Sequence, residues 1–202
     1  MFSGIVKSIG VVKEIYKNEN GKNIKISAPN LDLTGVKIGD SIAVSGCCLT
    51  VTAINGKELS FYISADTLKK TTLTMLSNNS FVNLETSLRM GDYIGGHMIS
   101  GHIDETARVV EVSLLGVDKR IKLEISNFGK NVVVQRGSVA VDGVSLTVAY
   151  IAGNILTLNI IPHTLENTTI KYLNTNTNYL VNIEYNEISK HVYKLVKQII
   201  VR

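Results

Sequence analysis

Short runs in which apolar and polar residues alternate make up most of the chain, and only the C-terminal tail departs from that period. Ser41–Val44, Leu49–Ile54 and Leu59–Ile63 are rich in β-branched and aromatic residues, the pattern of half-buried strands. Asn55-Gly56 reads as a two-residue hairpin turn before Leu59, and Gly153-Asn154 as another before Ile155–Ile161. Asp66-Thr67 supplies an N-cap signal ahead of Leu68–Leu73, and His163-Thr164 holds the same place ahead of Leu165–Ile170, so one short helix is expected in each half. From Glu187 to Val201 the period lengthens: Ile188, Val192, Leu195 and Ile199 follow at spacings of four, three and four, a helical seam close to a heptad. Such a stripe either packs on its own domain or joins copies of the chain, and the sequence leaves both open.

The two halves are the same pattern written twice. A shift of 97 residues lays Ser3-Gly4 on Ser100-Gly101, Ser41–Gly46 on Ser138–Gly143, and Leu49–Val51 on Leu146–Val148. It also lays Thr67-Leu68 on Thr164-Leu165 and Thr71-Thr72 on Thr168-Thr169; after two extra residues, Val82–Glu85 matches Val181–Glu184. Blocks in one order at one spacing mark a tandem duplication. A lone sheet of this size would leave unpaired edges, so each copy is expected to close on itself. The predicted fold is all-β: two tandem homologous six-stranded antiparallel (Greek-key) barrels, residues 1–96 and 97–186, plus a C-terminal α-helix over 187–202. The glycines of Arg89–Gly96 suit a connector.

Composition narrows the class. At 202 residues, 45% hydrophobic and 19% charged, the chain has the balance of a globular protein. Its formal net charge of +4 comes from scattered lysines, which reads as a solvated surface and not as a nucleic-acid stripe. The longest uncharged stretch, Gly143–Leu165, is broken by Asn154, Asn159, Pro162 and His163, which fits strands and a turn and predicts no membrane span. Cys47 and Cys48 are adjacent and cannot staple a fold. With no basic segment followed by an apolar core at Met1–Gly4, a cytoplasmic location is expected.

Candidate chemistry lies where the copies differ. Ile5 is matched by His102, Cys48 by Ser145, and Asp66 by His163. An imidazole at His102 could move a proton near neutral pH, and a thiol at Cys48 that faced a ligand would be a strong nucleophile. The plainer readings are a surface histidine, a small buried cysteine and an ordinary strand serine. The shared glycines Gly4, Gly101, Gly46 and Gly143 are either turn residues or points where a ligand nears the backbone. No metal site is expected, because Cys47 and Cys48 point to opposite faces of a strand and His97 and His102 lack paired-ligand spacing. No dinucleotide or P-loop fingerprint occurs. The residues therefore predict two matched, metal-free small-molecule sites.

Met1–Val6, Ser45–Val51, Ile94–Ile103, Val141–Val148 and Ile161–Leu165 together resemble the riboflavin synthase family, alpha-chain type, in order and over the whole chain. The resemblance implies a transferase without cofactor, completing riboflavin biosynthesis by dismutation of two 6,7-dimethyl-8-ribityllumazine molecules into riboflavin and 5-amino-6-ribitylaminouracil. It implies a homotrimer joined by the terminal helix, with the productive site between the first barrel of one subunit and the second barrel of a neighbour; association with lumazine synthase is left open. It places Cys48 at the first-barrel ring and His102 with Ser145 on the second-barrel side, with Phe2 packing nearby. Substrate contacts are expected from Gly4, Ile5, Val6, Cys48, Leu49, Thr50, Tyr62, Ile63, Ser64, Ala65, Asp66 and Thr67. Their counterparts are Gly101, His102, Ile103, Ser145, Leu146, Thr147, Asn159, Ile160, Ile161, Pro162, His163 and Thr164, to which Arg136 is added. Two positions depart from the family: Arg136 replaces a common lysine, and Asn186 stands where an aspartate is usual, a residue that could orient the ribityl chain. A non-catalytic lumazine- or flavin-binding protein of the same fold is the alternative.

Overall fold

The computed structural model describes residues 1–175 and 179–200. The first copy comprises β1 (Ser8–Asn18), β2 (Gly21–Ser27), β3 (Ser41–Val44), β4 (Cys47–Asn55), β5 (Glu58–Ser64) and β6 (Phe81–Thr86). The second comprises β7 (Glu105–Leu115), β8 (Asp118–Glu124), β9 (Ser138–Val141), β10 (Val144–Ala152), β11 (Ile155–Ile160) and β12 (Leu180–Tyr185). Each set closes into an antiparallel barrel with the same circular order, β1-β2-β5-β4-β3-β6 in the first and β7-β8-β11-β10-β9-β12 in the second.

Alternation explains which residues fill each barrel. Val12, Ile24, Ile26, Ile42, Leu49 and Phe61 point inward in the first, and Val109, Ile121, Leu123, Val139, Leu146 and Leu158 take the same places in the second. Burying each such side chain stabilises by roughly 1.5–3 kcal/mol. The ladders slip at Val12/Glu14 and Val51/Ala53, and at the matching points Val109/Glu111 and Val148/Tyr150. Bulges at these points bend the strands, as closure of so small a barrel requires.

Two tight turns press the barrels together. Ser45-Gly46 and Asp142-Gly143 link β3 to β4 and β9 to β10 with positive φ at all four residues, the mirror-type hairpin geometry. A side chain at Gly46 would place its Cβ 2.6 Å from the Gly143 nitrogen, so only glycine lets the turns meet. Around this point the contacts are reciprocal. Phe2 and Ile99 form a two-way backbone bridge (2.8 and 3.0 Å). Asn83 Nδ2 donates to Asp142 O (2.9 Å), and Asn182 Nδ2 donates to Ser45 O (2.8 Å). The barrels are thus related by an approximate two-fold axis, and Phe2, Ala43, Ile99 and Ala140 form a small apolar cluster on it.

Three local expectations need correction. The first hairpin turns at Gly56-Lys57, since Asn55 already pairs with Glu58. The helix α1 (Ala65–Lys70) begins before Asp66-Thr67 because Ser64 is the cap, its Oγ accepting from Thr67 N (3.2 Å). The second copy has two helices, not one: α2 (Asn127–Val132), capped by Ser126, and α3 (Pro162–Asn167), where Pro162 opens the first turn without a side-chain cap. A 3-10 turn follows α1 and α3, at Thr72–Met75 and Thr169–Tyr172.

Helix α4 (Glu187–Ile200) ends the described chain; Val201 and Arg202, included in the expected helix, lie outside the described residues. Asn186 is its cap, Oδ1 accepting from Ile188 N (3.0 Å) and Ser189 N (3.4 Å). That is a structural role asparagine fills as well as aspartate. The helix meets the second barrel through Tyr193, which packs edge-on to Phe128, and through Lys190. The stripe Ile188, Val192, Leu195 and Ile199 does not face that barrel; all four are exposed.

Candidate functional site

Beginning at the two repeat starts, the chain crosses between barrels. The buried Glu85 carboxylate on β6 accepts from Ser3 N (2.7 Å), Ser3 Oγ (2.8 Å) and Gly4 N (3.1 Å). Glu184 on β12 does the same for Ser100 N (2.7 Å), Ser100 Oγ (2.7 Å) and Gly101 N (2.8 Å). Each segment then leans onto the opposite barrel. Gly4 O accepts from Ser145 N (2.9 Å), and Gly101 O from Cys48 N (2.8 Å). Val6 packs against the second core and Ile103 against the first.

This crossing explains why glycine stands at both Gly4 and Gly101. A Cβ on Gly4 would sit 2.5 Å from the Ser145 Cβ, and one on Gly101 2.5 Å from the Cys48 Cβ. What comes close to these backbones is the other barrel. Two outer-face groups of the expected residues result, each drawn from both repeats. One gathers Cys48, Leu49 and Thr50 of β4, Tyr62 to Thr67 at the end of β5 and start of α1, and Gly101, His102 and Ile103. The other gathers Ser145, Leu146 and Thr147 of β10, Asn159 to Thr164 around the β11–α3 junction, and Gly4, Ile5 and Val6.

Within each set the strand period divides the residues. Cys48 and Thr50 look outward while Cys47 and Leu49 are buried; Ser145 and Thr147 look outward while Leu146 is buried. Burial pushes the Cys47 thiol up to about 12, leaving it inert, whereas Cys48 reaches the outer face. Ile63 and Ile160 also point into their cores, so their contribution to an outer site is limited to backbone. Tyr62 is anchored by donating to Asn20 O (2.8 Å), and Asn159 Oδ1 accepts from Arg120 Nε (3.3 Å). Ser64 and Thr67 spend their side chains on the α1 cap, and Asp66 pairs with Lys70 (2.8 Å). His163 Nδ1 meets Asn167 Nδ2 at 3.5 Å on α3.

The expected grouping of His102 with Ser145 is not what the crossing produces. His102 follows the residue bonded to Cys48 and so belongs with the thiol; Ser145 Oγ instead lies 2.7 Å from Nδ1 of His97. Burial holds the His97 imidazole below its ordinary range, so it is neutral at pH 7 and able to share the serine proton. The sequence offers His97 only as a candidate metal ligand, and the shift of 97 residues pairs it with no residue of the first copy. Phe2 is fully buried behind Cys48 and Gly101, where it can support but not touch a ligand. Arg136 is exposed, with φ +67, and its backbone N donates to Val148 O (2.8 Å) beside Thr147. Among the described residues no cluster of His, Cys, Asp or Glu could hold a metal ion, and no helix is long and apolar enough to cross a membrane.

Known proteins share both the sequence and the fold. The lumazine binding domain family matches the chain twice, over residues 3–87 and 100–186. The riboflavin synthase of Buchnera aphidicola (subsp. Schizaphis graminum) is 36% identical over 201 residues, covering 99% of this chain and 96% of that protein. Riboflavin synthase of Photobacterium leiognathi is 34% identical, covering 98% of this chain and 89% of the relative. Among solved structures, LumP complexed with 6,7-dimethyl-8-(1'-D-ribityl) lumazine superposes with a TM-score of 0.83 at 26% identity, covering 93% of this chain and all of that one. LumP complexed with riboflavin gives 0.85 at 27% identity over the same shares.

Proposed function

This chain belongs to the riboflavin synthase family of paired lumazine binding domains and is an enzyme of the transferase class; from that premise we propose that it dismutates 6,7-dimethyl-8-ribityllumazine. Two molecules give one riboflavin and one 5-amino-6-ribitylaminouracil, a four-carbon unit passing from donor to acceptor with no net oxidation. The observation that carries this reading is the crossing: two outer-face sites of one design, each shared between repeats, carry different reactive groups. One molecule held by Cys48 and His102 and another by Ser145 and His97 would share a binding mode yet meet unlike chemistry.

The reaction needs a proton taken from the acidic 7-methyl of one ring and a nucleophile added to the other. The Ser145–His97 pair is suited to the proton, and Cys48, outward-facing on β4, to the addition. Holding both rings in register accounts for much of the rate, up to roughly 7–11 kcal/mol in favourable cases. The exposed α4 stripe supports a homotrimer, which would bring the first-barrel site of one copy to the second-barrel site of another. A cytoplasmic location goes with this reading, since two free thiols stay reduced there.

The likeness to LumP favours a second reading, binding without turnover. Incubating the protein with 6,7-dimethyl-8-ribityllumazine alone separates the two. Riboflavin accumulates if the enzyme reading holds; tight binding with no riboflavin leaves the binding-protein reading in its place.

A further inference from the structure

Between Glu184 and Tyr185 the second barrel grips both ends of the segment that carries His102. Ser100 and Gly101 hang from the Glu184 carboxylate, as described above. Three residues later Asp104 returns to the same strand: its N donates to Ile183 O (2.9 Å), and its Oδ2 accepts from Tyr185 N (2.8 Å). Gly101, His102 and Ile103 therefore form an arch, pinned at its feet on β12 and resting its crown on the first barrel. His102 is its exposed member.

One foot of the arch is not held by the barrel alone. Lys190, closing the first turn of α4, places Nζ 3.1 Å from both oxygens of Asp104 and 2.9 Å from Glu187 Oε2. The Lys190 and Asp104 side chains are each only 16% exposed, so the pair is largely withdrawn from water, where loss of one partner leaves the other uncompensated. The Glu187 carboxyl is held below its ordinary range, first by the hydrogen bond from Lys190 and then by the charges of Lys190, His191 and His102. The base of α4 and the His102 arch thus share one charge cluster. Among the described residues the matching segment Ile5–Lys7 in the first repeat has no such brace, because α4 follows only the second copy.

We propose that Lys190 is a positioning residue for the first-barrel site, bracing Asp104 so that the arch presents His102 beside Cys48 while the second-barrel site stays independent of it. This rests on the reading that residues 101–103 border a lumazine. Lys190 touches no substrate in this scheme; it acts through Asp104.

The test is equilibrium titration of the full chain with 6,7-dimethyl-8-ribityllumazine, followed by ligand fluorescence, alongside steady-state turnover. In Lys190→Met one of the two sites weakens about tenfold and the other is unchanged, with KM raised more than kcat falls. Lys190→Arg restores binding to within about twofold, and Asp104→Asn, which keeps an acceptor for Tyr185 N, reproduces the one-site loss should the methionine variant fold poorly. Tyr193→Leu, which loosens α4 without touching the arch, lowers stability and leaves both affinities in place. Unchanged titrations in Lys190→Met and Asp104→Asn, or equal weakening of both sites, overturn the inference. A wild-type protein that binds no lumazine overturns the reading beneath it instead.

Discussion

Asp142 offers a sharp test of how the two barrels are held together, because its half-buried carboxyl lies where the tight turns meet. Its Oδ1 accepts from Asn182 N (2.8 Å), and it borders the cleft lined by Ser45, Thr72, Phe81, Thr169 and Tyr172. Burial raises the carboxyl from 3.8 to about 7. The folded chain thus keeps a proton that the unfolded chain releases near pH 4. Between about pH 4 and 7 the native state binds more protons than the unfolded state, so this group's contribution to stability is present at low pH and lost as pH rises through 7. At 1.36 kcal/mol for each pH unit, the rise amounts to up to about 4 kcal/mol at pH 8. Asp142→Asn keeps the acceptor for Asn182 N, tolerates the left-handed φ of +45, and carries no charge. The variant is therefore expected to be about 2–4 kcal/mol more stable than the parent at pH 8 and equal to it at pH 4, measured by urea unfolding at several pH values. A variant no more stable at pH 8, or one with the same advantage at pH 4, would refute the assignment of this cost to the carboxyl.

Three further outcomes follow from the geometry. Cys48→Ser should slow riboflavin formation at least tenfold while changing lumazine affinity less than threefold; an unchanged rate removes the thiol from the chemistry. Gly46→Ala should destabilise by roughly 2–4 kcal/mol, since it combines a φ of +82 with a Cβ only 2.6 Å from the Gly143 nitrogen, and a thermal midpoint equal to the parent's would contradict the close contact. Deleting residues 187–202 should reduce the solution mass to that of one chain by light scattering; a truncated protein that stays trimeric would show that α4 is not the seam.

The duplication carried most of the fold in plain view. Because interior positions such as Ile24 and Ile121, or Phe61 and Leu158, recur at one spacing, the barrel pattern shows twice and each copy checks the other. Local signals misled where two candidates compete: Ser64 and Thr67 both cap helices well, and only the fold shows that Ser64 takes the role. Asn186 shows the opposite limit, since family likeness suggests a ribityl contact there and only the fold shows that its Oδ1 caps α4. The crossing itself was beyond reach of any local pattern. It rests on hydrogen bonds between residues far apart in sequence, Gly4 with Ser145 and Gly101 with Cys48, whose partners change if the repeats pack differently. His97 stayed hidden for a related reason, having no counterpart in the first repeat to differ from.

The crossing makes one measurement decisive: a crystal structure of the chain with an unreactive lumazine analogue in both sites. One ring should lie among Cys48–Thr50, Tyr62–Thr67 and Gly101–Ile103, and the other among Ser145–Thr147, Asn159–Thr164 and Gly4–Val6, with His97 at the second. A ring enclosed by Gly4–Val6 together with Cys48–Thr50 of the same chain would contradict the shared-site account.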